Sequence, residues 1–255
     1  MNFSDIIKEI IEPDSVDVTS IKMNKELNPL LWDGDHLKED VRKILLSNAK
    51  KFIEFSNLEN IKFKDIVLLG SMANYNYTEH SDIDVHLIFN FNEISDNKEF
   101  VKDYLKTKKL LWDSTFNIQV KGFDVELYYQ DIDEKNHSTG VYSLIKDKWL
   151  SKPLKKIINI DTKNVQAKAS KYMNAIDDLE KIKNDKKFYD EYLKLKDKIK
   201  KMRENGLDKK GEYSSENLAY KILRNEGYLD KMVELKNDYI SKNLSLNEKE
   251  KSNIN

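Results

Sequence analysis

The sequence predicts an α/β protein: a small mixed β-sheet flanked by helices, followed by an α-helical C-terminal region. Three observations predict it. Residues 66–70, IVLLG, are a short apolar run ending in glycine, as in a strand buried on both faces. Residues 82–90, DIDVHLIFN, alternate apolar and polar side chains, as a strand with one buried face does. After Pro153 the apolar spacing lengthens from two to three or four, the period of amphipathic helices.

Taken in order, residues 1–34 read as an N-terminal extension, a short helix and then irregular chain broken at Pro13 and Pro29. From Asp35 onward, Leu37, Val41, Ile44, Leu45, Ala49, Phe52 and Phe55 fall at helical spacing, with Asp33 or Asp35 as the expected cap. The strand at 66–70 is followed by a polar linker, SMANYNYTEHS, and then by the strand 82–90. Residues 97–113 form an expected helix, with Phe100, Tyr104, Leu105, Leu111 and Trp112 available to cover the sheet. Residues 117–130, NIQVKGFDVELYYQ, alternate again, as a hairpin pivoting at Lys121–Gly122.

Further on, Tyr172, Ile176, Leu179 and Ile182, then Tyr189, Tyr192, Leu195, Ile199 and Met202, imply long helices. Gly206 and Gly211 punctuate, and Ser214-Ser215-Glu216 starts a further helix. The expected organisation is an extension over 1–34, a core over 35–153, a helical region over 154–244 and a frayed tail over 245–255, without internal repeats.

The 255 residues carry 44 basic and 45 acidic side chains, and aromatics make up 10%. That aromatic content excludes a disordered chain, and no apolar run approaches the roughly 18 residues that span a bilayer. There is no cysteine, so disulfides and thiolate metal sites are excluded. The opening MNFSDIIKEIIEPD is acidic and interrupted, unlike a secretory signal, which makes a cytoplasmic protein the expectation. Only Arg42, Arg203 and Arg224 are arginines, and asparagine is abundant, a bias that AT-rich genomes write. Residues 1–150 are net −8 and residues 151–255 net +7. An acidic part joined to a basic part fits a metal-using site beside a surface for a polyanion, and equally fits solvated lysine-rich helices.

The segment that carries chemistry is LLGSMANYNYTEHSDIDVHLI. Asp82 and Asp84, two apart on a strand, project from one face and can hold divalent cations between them. Gly70 lets the chain turn sharply, and if a helix starts there its amides, with the Ser71 hydroxyl, make a phosphate-binding corner. Mg²⁺ typically takes one or two carboxylates plus substrate phosphates, so the two features together suit a bound metal–triphosphate.

This arrangement resembles the polymerase-β-type nucleotidyltransferase superfamily, whose pattern is Gly-Ser at a strand end, about a dozen residues, two alternating acids on a second strand and a third acid on a neighbour. Gly70, Ser71, Asp82 and Asp84 match it over about residues 35–150. The third acid is Glu126 in VEL or Asp124 in FDV, which share one strand face. Glu126 is preferred because Val-Glu-Leu-Tyr is similar to phage-type relatives at this place. More loosely, LNPLLWDGDHLKEDVRKILL, GSMANYNYTEHSDIDVHLI and HSTGVYSLIKDKWLSKP resemble nucleotidyltransferase-like proteins of tailed bacteriophages. In that case the cytoplasm is a bacterial host's.

The resemblance implies transfer of a nucleoside monophosphate from an NTP to a hydroxyl, with release of pyrophosphate. It makes Asp82 and Asp84 ligands of two Mg²⁺ ions, with Mn²⁺ as a substitute, and the third acid a ligand of the catalytic ion that assists deprotonation. Gly70 and Ser71 would hold the β- and γ-phosphates. An RNA or tRNA end is the first acceptor expected, then a protein side chain, then a second nucleotide. Other readings are a non-catalytic nucleotide- or nucleic-acid-binding phage accessory protein, and a toxin–antitoxin component. Met72-Ala73-Asn74 after Gly-Ser departs from the antitoxin-type GSRARG and from the cyclic-oligonucleotide synthases, where another glycine follows.

Each remaining feature has a plainer alternative. His86 shares the face of Asp82 and Asp84 and would touch phosphate or base, or is an ordinary half-exposed histidine. Tyr75 and Tyr77 would stack on a base or simply cover the core. STGVYS, residues 138–143, holds sugar or base, or is a turn with a helix start. The lysines between Lys181 and Lys201 follow an RNA backbone or form a salt-laced solvated face. His80 and His137 lie in polar loops without an expected role.

Overall fold

The computed structural model describes residues 10–21, 23–136, 138–155 and 160–245. The expected short N-terminal helix, His137 and the expected frayed tail lie largely or wholly outside them. The chain divides into two compact units, residues 21–157 and the described residues of 1–20 with 158–255.

The first unit is a mixed α/β layer structure. A short ribbon of β1 (Trp32–Asp33) and β2 (His36–Leu37) precedes α1 (Glu39–Ser56), β3 (Asp65–Leu69), β4 (Ile83–Phe89), α2 (Lys98–Thr115), β5 (Gln119–Val120), β6 (Phe123–Asp131), β7 (Val141–Ser143) and β8 (Lys148–Ser151). Among the described residues the main sheet has six strands in the order β5-β6-β4-β3-β7-β8. Only β4 and β6 run parallel. They are joined through α2, because parallel neighbours need a crossover connection.

The alternation in β4 works as the pattern predicts: Ile83, Val85, Leu87 and Phe89 are fully buried. They meet Val41, Leu45, Ala49 and Phe52 of α1 and Val101, Leu105 and Trp112 of α2 in one core. Phe52 stacks on Tyr129 at 4.5 Å, and the Tyr129 hydroxyl donates to the Phe52 carbonyl. All of β3 is buried, as its continuous apolar run implies. Both helices therefore lie on one face of the sheet. The other face displays Asp84 and His86 of β4 and Glu126 and Tyr128 of β6.

Several expectations are corrected here. α1 starts at Glu39, with Lys38 at its cap position and no capping side chain. Gly34, at φ +56, turns the chain so that residues 32–37 pair as a ribbon. Asp35 instead pairs with Lys152, and its carbonyl accepts from the Trp149 indole. Phe100 and Leu111 of α2 are more than half exposed, and Val101, Leu105 and Trp112 cover the sheet in their place. Ile44 is likewise exposed. Residues 138–143 begin no helix: Val141–Ser143 is a strand beside β3. The hairpin turn at Lys121–Gly122 is present, both residues having positive φ, as a two-residue turn matching sheet twist requires.

In the second unit, α3 (Thr162–Glu180), α4 (Asp185–Lys210), α5 (Ser215–Asn225) and α6 (Tyr228–Leu244) pack around Ile176, Leu179, Phe188, Tyr192, Leu195, Ile199 and Met232. Ser214 caps α5, its hydroxyl accepting from the Asn217 amide. Residues near Ile11 lie along α3, where the Asn174 side chain both accepts from Ile11 N and donates to Ile11 O. Gly211 ends α4 at φ +73, but Gly206 punctuates nothing. A Cβ there would lie 2.6 Å from Glu216 Cβ and Ser214 Oγ, so this glycine lets the start of α5 approach α4.

Candidate active site

The site begins where β3 ends. Gly70 has φ +76, a conformation that side chains resist. A Cβ built on it would collide with the Asp84 carboxylate, whose Cγ lies 2.9 Å from that position. The expected helix after Gly70 is only a three-residue 3-10 turn, Ser71–Ala73. The linker beyond it is not a solvated loop: Met72, Ala73, Asn74, Tyr75 and Asn76 are buried. The Trp32 indole donates to the Met72 carbonyl at 2.8 Å, and Asn24 donates to the carbonyls of Tyr75 and Tyr77. Tyr75 and Tyr77 thus pack on the core.

The turn is braced from two sides. The Ser71 hydroxyl donates to Ser81 Oγ at 2.9 Å, and Ser81 Oγ also accepts from Thr78 N. The Gly70 amide donates to Ser138 Oγ, and the Asn74 side chain donates to Thr139 Oγ1. Gly140 passes so close to the Ala73 backbone that a Cβ there would overlap its carbonyl. The 138–140 segment therefore supports the Gly-Ser turn. Its small hydroxyl and glycine residues were the available signal, but only contacts across the sheet give them this role.

Asp82 immediately precedes β4, and Asp84 is its second residue. The parallel pairing sets Asp84 beside Glu126 and Ile83 beside Val125. Continuing that register, Asp124 flanks Asp82. All four acids are on the helix-free face by strand alternation. The two third-acid candidates differ in what holds them. Asp124 accepts from Gln119 Nε2 at 2.8 Å across the edge hairpin. Glu126 faces Lys109 of α2, with Oε2 3.7 Å from Nζ, and Lys109 also contacts Asp113 at 2.6 Å. Burial lowers the pKa of the Lys109 ammonium, but its hydrogen bond to Asp113 and the charge of Glu126 more than offset this, so the net shift is upward.

Beside these acids, His86 and Tyr128 are register partners with ring centres 4.8 Å apart. His86 Nδ1 lies 2.8 Å from Gln130 Oε1, while Gln130 Nε2 donates to the Glu134 carbonyl. That orientation of the amide makes Nδ1 the protonated nitrogen and leaves Nε2 as an acceptor. Burial depresses the His86 pKa, against the opposing effects of Gln130 and Glu126. Held neutral, the ring brings no positive charge toward a phosphate. Burial, with the Glu134 carboxylate, pushes the Tyr128 hydroxyl up to about 12.

The donor chemistry of these acids suits a hard divalent cation, which prefers carboxylate oxygens. Among the described residues, however, no three Asp, Glu or His side chains converge as a metal-holding group. The carboxylates share a face, and Glu126 is drawn toward Lys109. The lysines of 181–201 form a salt-laced face: Lys181 pairs with Asp178, Lys194 with Glu191 and Lys201 with Asp197. His80 is exposed. Among the described residues, no helix is long and apolar enough to cross a membrane.

The nucleotidyltransferase domain family model matches residues 46–208, more than half of the chain, and the chain belongs to that family. The match starts within α1 and runs into α4, beyond the segment that carries the sequence motifs. Membership agrees with the mixed sheet and suggests transfer of a nucleoside monophosphate in general. Comparisons with curated proteins and with solved structures find no match.

Proposed function

We propose that this protein is a metal-dependent nucleotidyltransferase that moves a nucleoside monophosphate from an NTP to a hydroxyl acceptor and releases pyrophosphate. The observation that carries this reading is the in-register pair of Asp84 and Glu126 on parallel strands, set against the Gly70–Ser71 turn. Asp82, Asp84 and Glu126 are the residues that would hold Mg²⁺ or Mn²⁺, with Asp124 as the alternative third acid. Such ions, when bound, clamp the attacking and leaving oxygens of an in-line displacement.

The chain's own groups do the rest. The Ser71 hydroxyl exchanges its bond to Ser81 for one to a β- or γ-phosphate oxygen. Glu126 assists removal of the proton from the attacking hydroxyl. The acceptor oxygen bonds to the α-phosphorus as the bond from phosphorus to the pyrophosphate oxygen breaks. The core of residues 35–153 supplies this chemistry, and the helical region 154–244 supplies the acceptor side. An RNA or tRNA end is the favoured acceptor because residues 151–255 are net +7. A protein side chain is second and a nucleotide third.

The test incubates the protein with each α-labelled NTP, Mg²⁺ or Mn²⁺ and total RNA, beside Asp82→Ala/Asp84→Ala protein. Label on RNA, on protein or in a small product that requires both acids supports the reading and names the acceptor. A second reading is a nucleotide- or nucleic-acid-binding accessory protein without catalysis, in line with the phage resemblance. It is favoured by the Glu126–Lys109 pair and by the absence of a converged acid triad among the described residues. NTP binding with no transfer from any base would select it.

A further inference from the structure

Lys109 stands apart from the other lysines of α2 because its ammonium is shared between two carboxylates. Asp113, one turn further along the helix, is 2.6 Å away, while Glu126 on β6 is 3.7 Å away. The contact to Glu126 is the longer, and Glu126 is half exposed, so this ion pair is weak and easily exchanged. If Glu126 turns away, Lys109 keeps Asp113. No uncompensated ammonium is left in its half-buried position, which is the outcome that makes breaking a buried pair costly.

We propose that Lys109 is a positioning residue that competes with a divalent cation for Glu126, with Asp113 holding the ammonium once Glu126 is released. This rests on the reading of Asp82, Asp84 and Glu126 as the cation site. Without a cation, Lys109 satisfies Glu126 and holds it off Asp84; with one, Glu126 exchanges a single positive charge for a double one. Lys109 and Asp113 therefore act in opposite directions. Removing the ammonium tightens cation binding. Removing the Asp113 carboxylate commits Lys109 to Glu126 and weakens it.

The experiment titrates the full chain with Mn²⁺ alone, without nucleotide, and reads free Mn²⁺ by electron paramagnetic resonance. Wild type is expected to bind Mn²⁺ in a manner that Asp84→Ala abolishes. Lys109→Met should bind roughly two- to fivefold more tightly and Asp113→Asn more weakly by a similar factor, as befits a half-exposed ion pair. Lys109→Gln, which retains a donor for Asp113, serves beside Lys109→Met, and circular dichroism shows which variants are folded. In a Glu126→Gln background, Lys109→Met should change nothing. Equal or weaker Mn²⁺ binding by folded Lys109→Met and Lys109→Gln overturns the inference. So does a gain that persists without the Glu126 carboxylate, because that would be a long-range charge effect. Absence of any Asp84-dependent binding in wild type would instead overturn the cation site itself, and this inference with it.

Discussion

The Asp84 carboxylate occupies the space in which a side chain on Gly70 would begin, its Cγ 2.9 Å from the Cβ position. Gly70 is therefore constrained twice, by a positive φ of 76° and by the acid that faces it across the β3–β4 pairing. The Gly-Ser turn and the first acid strand are one packing unit. A change at either is felt at the other.

Gly70→Ala is accordingly expected to destabilise the protein by about 1–3 kcal/mol, the range for a residue held in a disfavoured backbone region. Removing the Asp84 side chain as well should recover part of that loss. Urea unfolding of the two single variants and the double variant measures the coupling. Strict additivity would show that the carboxylate and the glycine do not contact each other in solution.

The third acid can be decided by substitution. Glu126→Gln should reduce label transfer by about 100-fold or more, the scale expected when a general base is removed. Asp124→Asn should remain within a few-fold of wild type, since Asp124 is already engaged by Gln119 at the sheet edge. Single-turnover assays with α-labelled NTP read both, and the reverse order would assign the role to Asp124.

Acid stability should depend on Asp131. Burial raises the pKa of its carboxyl, but the hydrogen bond from Lys98 at 2.8 Å and those from backbone amides more than offset this, so the folded-state pKa is depressed. A depressed carboxylate contributes stability that is fully present above its unfolded pKa of about 4 and is lost as pH falls through the folded value. Urea midpoints should therefore fall below about pH 4. They should fall less steeply in Asp131→Asn, and an unchanged slope in that variant would contradict the assignment.

Gly206→Ala sets two effects against each other. Alanine favours a helix interior by about 1 kcal/mol over glycine. Yet its Cβ would meet Glu216 Cβ and Ser214 Oγ at 2.6 Å, and overpacking typically costs about 1–3 kcal/mol. The clash involves the fixed start of α5, so a net loss of stability is expected, read as a lower thermal midpoint. A raised midpoint would mean that α4 and α5 separate without cost.

Much of this architecture is written in local sequence pattern. The alternation of Ile83, Val85, Leu87 and Phe89 and the apolar run of β3 are set by which residues can face a core, and both strands follow. The same alternation puts Asp82 and Asp84 on one face, and Lys121–Gly122 sets the hairpin turn before Glu126. Short-range periodicity determines these features because side-chain direction repeats along a strand or helix. Only the tertiary structure decides which distant groups meet. The β4–β6 register brings Glu126 beside Asp84, and α2 crosses so that Lys109 reaches it. Packing likewise makes Gly206 a contact rather than a stop and leaves Phe100 and Leu111 exposed. Such pairings depend on the approach of elements far apart in the chain, and no local period encodes that approach.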